Sequence, residues 1–174
     1  MDNLEAARTA VVLIDLQRRL VDQALAPHSG ADVVARCVTL ADAARAAGAL
    51  VVVVRVERPG DDPQPAGSEL VPEATPRPGD LEIVKHTWGA FQETGLDAAL
   101  RERGVDTLVI TGLATNFGVE QTARIADELG YQVVLPQDAM SGIHEHAHEF
   151  AVGYIFRALG TVCTTAEAVV ALGG

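Results

Sequence analysis

Asp15, Lys85 and the turn Ala114–Gly118 hold the residue types and spacing in this chain that suit moving protons and stabilising charge. Each follows an apolar run rich in Val, Leu and Ile: Thr9–Ile14 before Asp15, Leu81–Val84 before Lys85, and the run after Asp106 that stops at Gly112 before the turn. Such continuous runs read as strands buried on both faces. A carboxylate at the end of a buried strand stays ionised only beside a partner; without one it takes up a proton. An ammonium nearby supplies that partner, and backbone N–H groups at the start of a helix form a seat for negative charge. Acid, cation and amide cradle together make a proton-handling site. On the residues alone a plainer reading stands level with this one, in which Asp15 caps the turn after its strand and Lys85 is solvated.

The elements that must position these groups follow from the periodicity. The run before the turn stops at Gly112, and from Gly118 the pattern becomes helical, with Val119, Thr122, Ala123 and Ala126 on one face and a stop at Gly130. Ala31–Ala47 carries Val33, Val34, Cys37, Leu40, Ala41 and Ala44 at helical spacing and ends at Gly48. Leu50–Val56 and Tyr131–Leu135 read as further buried strands and Thr161–Thr164 as a short sixth one. Leu96–Arg103, His146–Leu159 and Ala166–Leu172 read as helices. Strands alternating with helices across short Gly turns predict a parallel sheet covered by helices on both faces. In such a sheet every carboxyl end points the same way, so Asp15, Lys85 and the turn converge despite their distance in sequence. The segment Glu57–Asp80 holds six of the eight prolines and reads as a loop, long enough to be a lid or an edge of the pocket.

Composition narrows the function. The 174 residues are expected to form a single domain over 1–174, with a core of Val, Ala and Leu, since 48% of residues are hydrophobic but only 4% aromatic. A formal charge of -11 argues against nucleic acid or an anionic membrane surface as partner. No apolar run nears the length of a membrane span and Met1–Arg8 lacks a signal-peptide pattern, so a cytoplasmic location is expected. Cys37 and Cys163 make neither metal-ligand spacing nor a disulfide framework, and both fall at core positions of their elements.

The chain resembles the isochorismatase-like (cysteine hydrolase) superfamily of nicotinamidases, N-carbamoylsarcosine amidases and isochorismatases. The likeness rests on Val11-Val12-Leu13-Ile14-Asp15-Leu16-Gln17, Val84-Lys85 with Ala90-Phe91, Thr111-Gly112-Leu113-Ala114-Thr115-Asn116-Phe117 with Thr122-Ala123-Arg124, and Asp138-Ala139-Met140-Ser141. It implies a three-layer α/β/α, Rossmann-like fold with a six-stranded, mostly parallel sheet. It also implies a proton-transferring Asp15, a partner Lys85, a non-proline cis peptide at Leu113-Ala114 and oxyanion-hole amides on Ala114 and Gly118. A homo-oligomer acting on a small-molecule substrate without a cofactor is implied as well.

One departure decides the mechanism. Most of the superfamily carries a nucleophilic cysteine where this chain has Gly118, at a helix start that favours the thiolate. Cys163 lies on the sixth strand and cannot stand in, Thr115 suits positioning rather than attack, and no Ser-His-Asp arrangement is legible. A covalent thioester route is therefore excluded unless the chain is an engineered variant whose cysteine was replaced by glycine. The isochorismatases of siderophore pathways are similar in having glycine there; they hydrolyse a vinyl ether through an aspartic acid, without a covalent intermediate. Against that, Ala114-Thr115-Asn116-Phe117 is similar to the amidase branch. A catalytically silent binding or assembly protein and a Cys-to-Gly amidase remain as alternatives.

Gln17, Trp88, Thr115 and Phe117 are the candidate substrate contacts, each with a turn or core role as the alternative. His144, His146 and His148 cluster at a helix start, where a solvated helix end is the better reading. Nicotinamidases hold a metal through Asp-x-His after strand two; here the segment is Arg55-Val56-Glu57-Arg58, and no metal is expected.

Overall fold

The computed structural model describes residues 2–173. Seven strands make one sheet: β1 (Thr9–Ile14), β2 (Leu50–Val56), β3 (Leu81–Lys85), β4 (Thr107–Leu113), β5 (Gln132–Pro136), β6 (Met140–Ser141) and β7 (Thr161–Cys163). The order is β3-β2-β1-β4-β5-β7, with β6 beside the far end of β4, and every pairing is parallel. The helices are α1 (Arg18–Val21), α2 (Gly30–Ala47), α3 (Leu96–Glu102), α4 (Glu120–Glu128), α5 (Glu145–Phe150), α6 (Phe156–Leu159) and α7 (Thr165–Ala171). This is a three-layer α/β/α architecture.

Every side chain of β1 is buried, but alternate ones go to opposite layers. Ala10, Val12 and Ile14 pack with Leu96 and Leu100 of α3, Ala123 and Ala126 of α4, and Phe156 of α6. Val11 and Leu13 pack with Val33, Cys37 and Leu40 of α2 and with Ala168 of α7. The period-two alternation of a strand divides one apolar run between two cores. Long α2 is capped at Ser29, whose side chain accepts from the Asp32 amide, and stops at Gly48 with φ 81°.

From β1 the chain winds outward through β2 to β3, then returns to place β4 on the other side of β1 and winds outward again. Sheets of this kind hold their ligands in the crevice where the winding reverses, outside the carboxyl ends of the two central strands. Here those ends are Ile14 and Leu113.

The structure adds detail that the periodicity did not show. A seventh strand, β6, pairs with Gly112 and Leu113; two residues are too few to show an alternation. The helix expected from Gly118 is entered through a π-turn over Thr115–Val119, and the one expected over His146–Leu159 contains another over Ala151–Ile155. Short α1 follows Gln17, in a segment to which the periodicity assigned no element. The Glu57–Asp80 loop is fastened rather than free-standing: the Arg18 and Arg19 amides donate to Glu69 O and Gly67 O, and Val71 N donates to Leu16 O. It therefore edges the site and is no detached lid.

Candidate active site

Asp15 leaves β1 with φ 51°, a left-handed conformation uncommon for a residue with a Cβ. Its amide donates to Val54 O at 2.9 Å, so the neighbouring strand holds it there. The side chain is buried. Oδ2 accepts from Lys85 Nζ at 2.8 Å, while Oδ1 is buried without a hydrogen-bond partner. Burial pushes the carboxyl group up to about 6 from an ordinary 3.8, against the opposing pull of Lys85 and, more weakly, Arg19. Of the two influences weighed on the sequence, burial prevails.

Lys85 ends β3, two strand spacings (about 10 Å) from β1. Its stem crosses the end of β2, and together with the Asp15 side chain it closes that gap. Only 1% of Lys85 is exposed, and Nζ makes a second bond to Trp88 O at 2.6 Å. An ion pair so buried holds its geometry only when further hydrogen bonds satisfy the ammonium, which the Trp88 carbonyl does.

The turn after β4 completes the group. Gly112 has φ 107°, and a Cβ there would lie 2.2 Å from Ile14 O, so only glycine lets β4 approach β1 this closely. The Leu113–Ala114 peptide is cis. At Gly118 a Cβ would sit 3.2 Å from Lys85 Nζ and 3.3 Å from Asp15 Oδ2. Position 118 thus lies directly against the ion pair. A cavity of about 400 Å³ opens here, lined by Asp15, Lys85, Leu113, Ala114, Phe117 and Gly118, with Trp88, Ile143, Leu20, Leu25, Arg19 and Arg58 among its other walls. Trp88 stacks on Phe117, ring centres 5.1 Å apart, and is largely exposed at the mouth.

Two expected contacts are used elsewhere. Gln17 is fully buried and clamps backbone: Oε1 accepts from Val56 N at 2.9 Å, and Nε2 donates to Val56 O at 3.0 Å and to Ser68 O. It does not line the cavity. Thr115 is likewise buried, its hydroxyl 2.8 Å from His148 Nδ1. Thr115 therefore holds the turn from behind.

His148 is the residue the sequence reading misplaced. It is buried, not a solvated helix end, and burial with a lesser push from His28 lowers it to about 4, so the ring is neutral. Its spacing to Ala151 and Val152, both buried, was the available signal, because i, i+3 and i+4 share a helix face. His144 and His146 are exposed. Among the described residues no group of three His, Cys, Asp or Glu side chains is placed to hold a metal ion. Cys37 is buried 3.4 Å from Thr111 Oγ1, and Cys163 is buried on β7; burial pushes both thiols up to about 12, leaving no thiolate.

Fold and site together define an α/β/α hydrolase whose polar groups gather at the switch point of the sheet. The chain belongs to the isochorismatase family, whose domain is matched over residues 9–167. It is 38% identical to the isochorismatase family protein YecD of Escherichia coli O157:H7, over 99% of this chain and 100% of that one. It is 33% identical to the ureidoacrylate amidohydrolase RutB of Variovorax paradoxus, over 78% of this chain and 69% of that one. An isochorismatase family protein from Burkholderia thailandensis of known structure is 39% identical, with a TM-score of 0.91 and 100% of both chains covered.

Proposed function

We propose that this hydrolase cleaves a small-molecule vinyl ether with Asp15 as general acid and no covalent intermediate. The observation that carries the reading is the contact of position 118 with the Asp15–Lys85 pair. The superfamily's cysteine would fall there, yet the residue is glycine, and its missing side chain leaves room over a carboxyl group that burial holds partly protonated.

In this mechanism the Asp15 carboxyl donates its proton to the enol-ether carbon, giving an oxocarbenium ion that the carboxylate left behind stabilises. Water adds to the oxocarbenium carbon and loses a proton, which returns to Asp15. The resulting hemiketal releases an alcohol and leaves a carbonyl compound. Lys85 orients Asp15 and keeps its acidity near neutrality, since burial alone would hold the group protonated throughout. As the hemiketal collapses, the Ala114 and Gly118 amides, the oxyanion-hole donors that the resemblance implies, stabilise the negative charge developing on the departing oxygen. Trp88 and Phe117 wall the substrate.

A second reading, hydrolysis of an amide, is favoured by RutB, named an amidohydrolase, and by Ala114-Thr115-Asn116-Phe117. There Asp15 takes a proton from water and the same amides receive the tetrahedral oxyanion. Isochorismate and a panel of small amides, assayed with wild type beside Asp15→Asn, separate the two. The vinyl-ether reading requires isochorismate turnover that Asp15→Asn lowers at least about a hundredfold with the circular dichroism unchanged. Turnover of amides alone overturns it, and no turnover of either leaves a binding protein.

A further inference from the structure

We infer that two copies of this chain pack about a two-fold axis at Gly153, on the exposed face of the helix that backs the active-site turn. Phe150 and Tyr154 are covered in this contact, and Glu149 of each copy lies against Arg157 of the other.

Helix α5, the π-turn over Ala151–Ile155 and α6 run on without a break over residues 145–159. The inner side of this helix carries His148, Ala151, Val152 and Phe156, all buried, and His148 reaches the turn through Thr115. The outer side is exposed. There Phe150 and Tyr154 pack on each other with ring centres 5.5 Å apart, yet stay 56% and 70% exposed. Adjacent aromatic rings left in water mark a surface that another protein covers, and such residues are enriched at the centres of interfaces.

Gly153 lies between the two rings in sequence and is also exposed. Glycine inside a helix costs stability relative to alanine. The single chain gives no reason for that cost: the residue is not among the glycines with positive φ, and a Cβ there would meet nothing within 4 Å. A second helix crossing at this point does give one, because a glycine lets two helix backbones approach most closely.

The charges on the face are complementary to themselves. Glu149, Gly153 and Arg157 are spaced four apart, so they share a row along the helix, and all three are exposed. Arg157 enters no ion pair among the described residues, and Glu149 has only exposed His146, at 4.0 Å. A two-fold axis at Gly153 sets an antiparallel copy of the same row on this one. Glu149 and Arg157 lie equally far from that axis on opposite sides, so each meets its opposite charge. A chain of formal charge -11 repels its own copy, and these pairs offset that repulsion where the copies touch. A face that matches its own inverse identifies the occupant as a second copy rather than a different protein.

The test is sedimentation velocity on the full chain across a range of concentrations. Wild type is expected to be a dimer, or an even-numbered assembly built from that dimer. Gly153→Gln is expected to keep the circular dichroism of wild type and to raise the dissociation constant at least tenfold. Glu149→Arg and Arg157→Glu, each alone, set like charges together and are expected to weaken assembly by a similar factor. Mixing these two variants places opposite charges at both contacts and is expected to restore association to within threefold of wild type. A monomeric wild type, an assembly that all three variants leave intact, or a mixture no tighter than its two components overturns the inference.

Discussion

Lys85 Nζ meets Asp15 Oδ2 at 2.8 Å although their strands, β3 and β1, do not pair, and β2 lies between them. The contact places a cation and an acid at the switch point of the sheet, with the other carboxylate oxygen, Oδ1, left without a partner. Consequences for activity, pH dependence and stability follow from this arrangement.

The first concerns pH and rate. A general acid works in its protonated form, and burial holds Asp15 at about 6. The kcat/KM for a vinyl ether is therefore expected to be flat below about pH 6 and to fall tenfold per unit above it. Removing the cation in Lys85→Met raises the Asp15 pKa further and moves the limb to higher pH. A pH–rate profile rising through pH 6 instead points to Asp15 as a base and to the amide reading.

The second concerns pH and stability. Asp15 is raised from 3.8 to about 6, so the folded state binds its proton more tightly than the unfolded chain does. Its contribution is fully present below about pH 4 and is lost as pH rises through 6, about 3 kcal/mol in all. His148 does the reverse. It is lowered from 6.5 to about 4, so its contribution is present above 6.5 and is lost as pH falls through 4. Between pH 4 and 6 the two effects oppose each other. Denaturant titrations are expected to show that Asp15→Asn turns the slope of stability against pH more positive than in wild type, and that His148→Asn turns it more negative.

Position 118 yields a third prediction. A Cβ there lies 3.1 Å from Ile14 Cγ2, 3.2 Å from Lys85 Nζ and 3.3 Å from Asp15 Oδ2, contacts that close only if these buried neighbours give by a few tenths of an ångström. Gly118→Cys is expected to fold with at most about 1–2 kcal/mol lost. Its thiol, at a helix start beside an ammonium, is expected to react with iodoacetamide below pH 8, unlike Cys37 and Cys163. Isochorismate turnover, on the proposed mechanism, is expected to fall in this variant, and any amide turnover it gains measures how far an amidase reaction can be restored.

Gln17 supplies the fourth. Its side chain makes three bonds to the backbone of Val56 and Ser68. Gln17→Ala is expected to cost about 2–4 kcal/mol in chemical denaturation, because buried backbone groups lose their partners. Turnover per folded molecule should survive. A loss of turnover with unchanged stability would make Gln17 a substrate contact.

Much of this was legible in the residues. Apolar runs ending at Asp15, Lys85 and Gly112, separated by helical periods that stop at glycine, were enough for a parallel sheet with its polar groups on one edge. Strand burial is a local property written in consecutive side chains, and parallel winding makes the carboxyl ends coincide whatever the loops do. The motif resemblance added roles for Asp15, Lys85 and Gly118.

Other features depended on packing alone. Gln17 and Thr115 looked like free polar groups near a site, but their partners, Ser68 and His148, come from distant segments and no local pattern announces them. His148 itself was hidden by its exposed neighbours His144 and His146. The charge of the cavity wall was invisible too, since Arg19 and Arg58 resemble any other surface arginines until the fold puts them in one wall with Asp15 and Lys85. The chain by itself determined which residue types stand at which strand ends, because hydrophobic periodicity and glycine stops act over a few residues. Tertiary structure decided which of those groups are buried, paired or left unpartnered, because desolvation and hydrogen bonding depend on neighbours brought from everywhere along the chain.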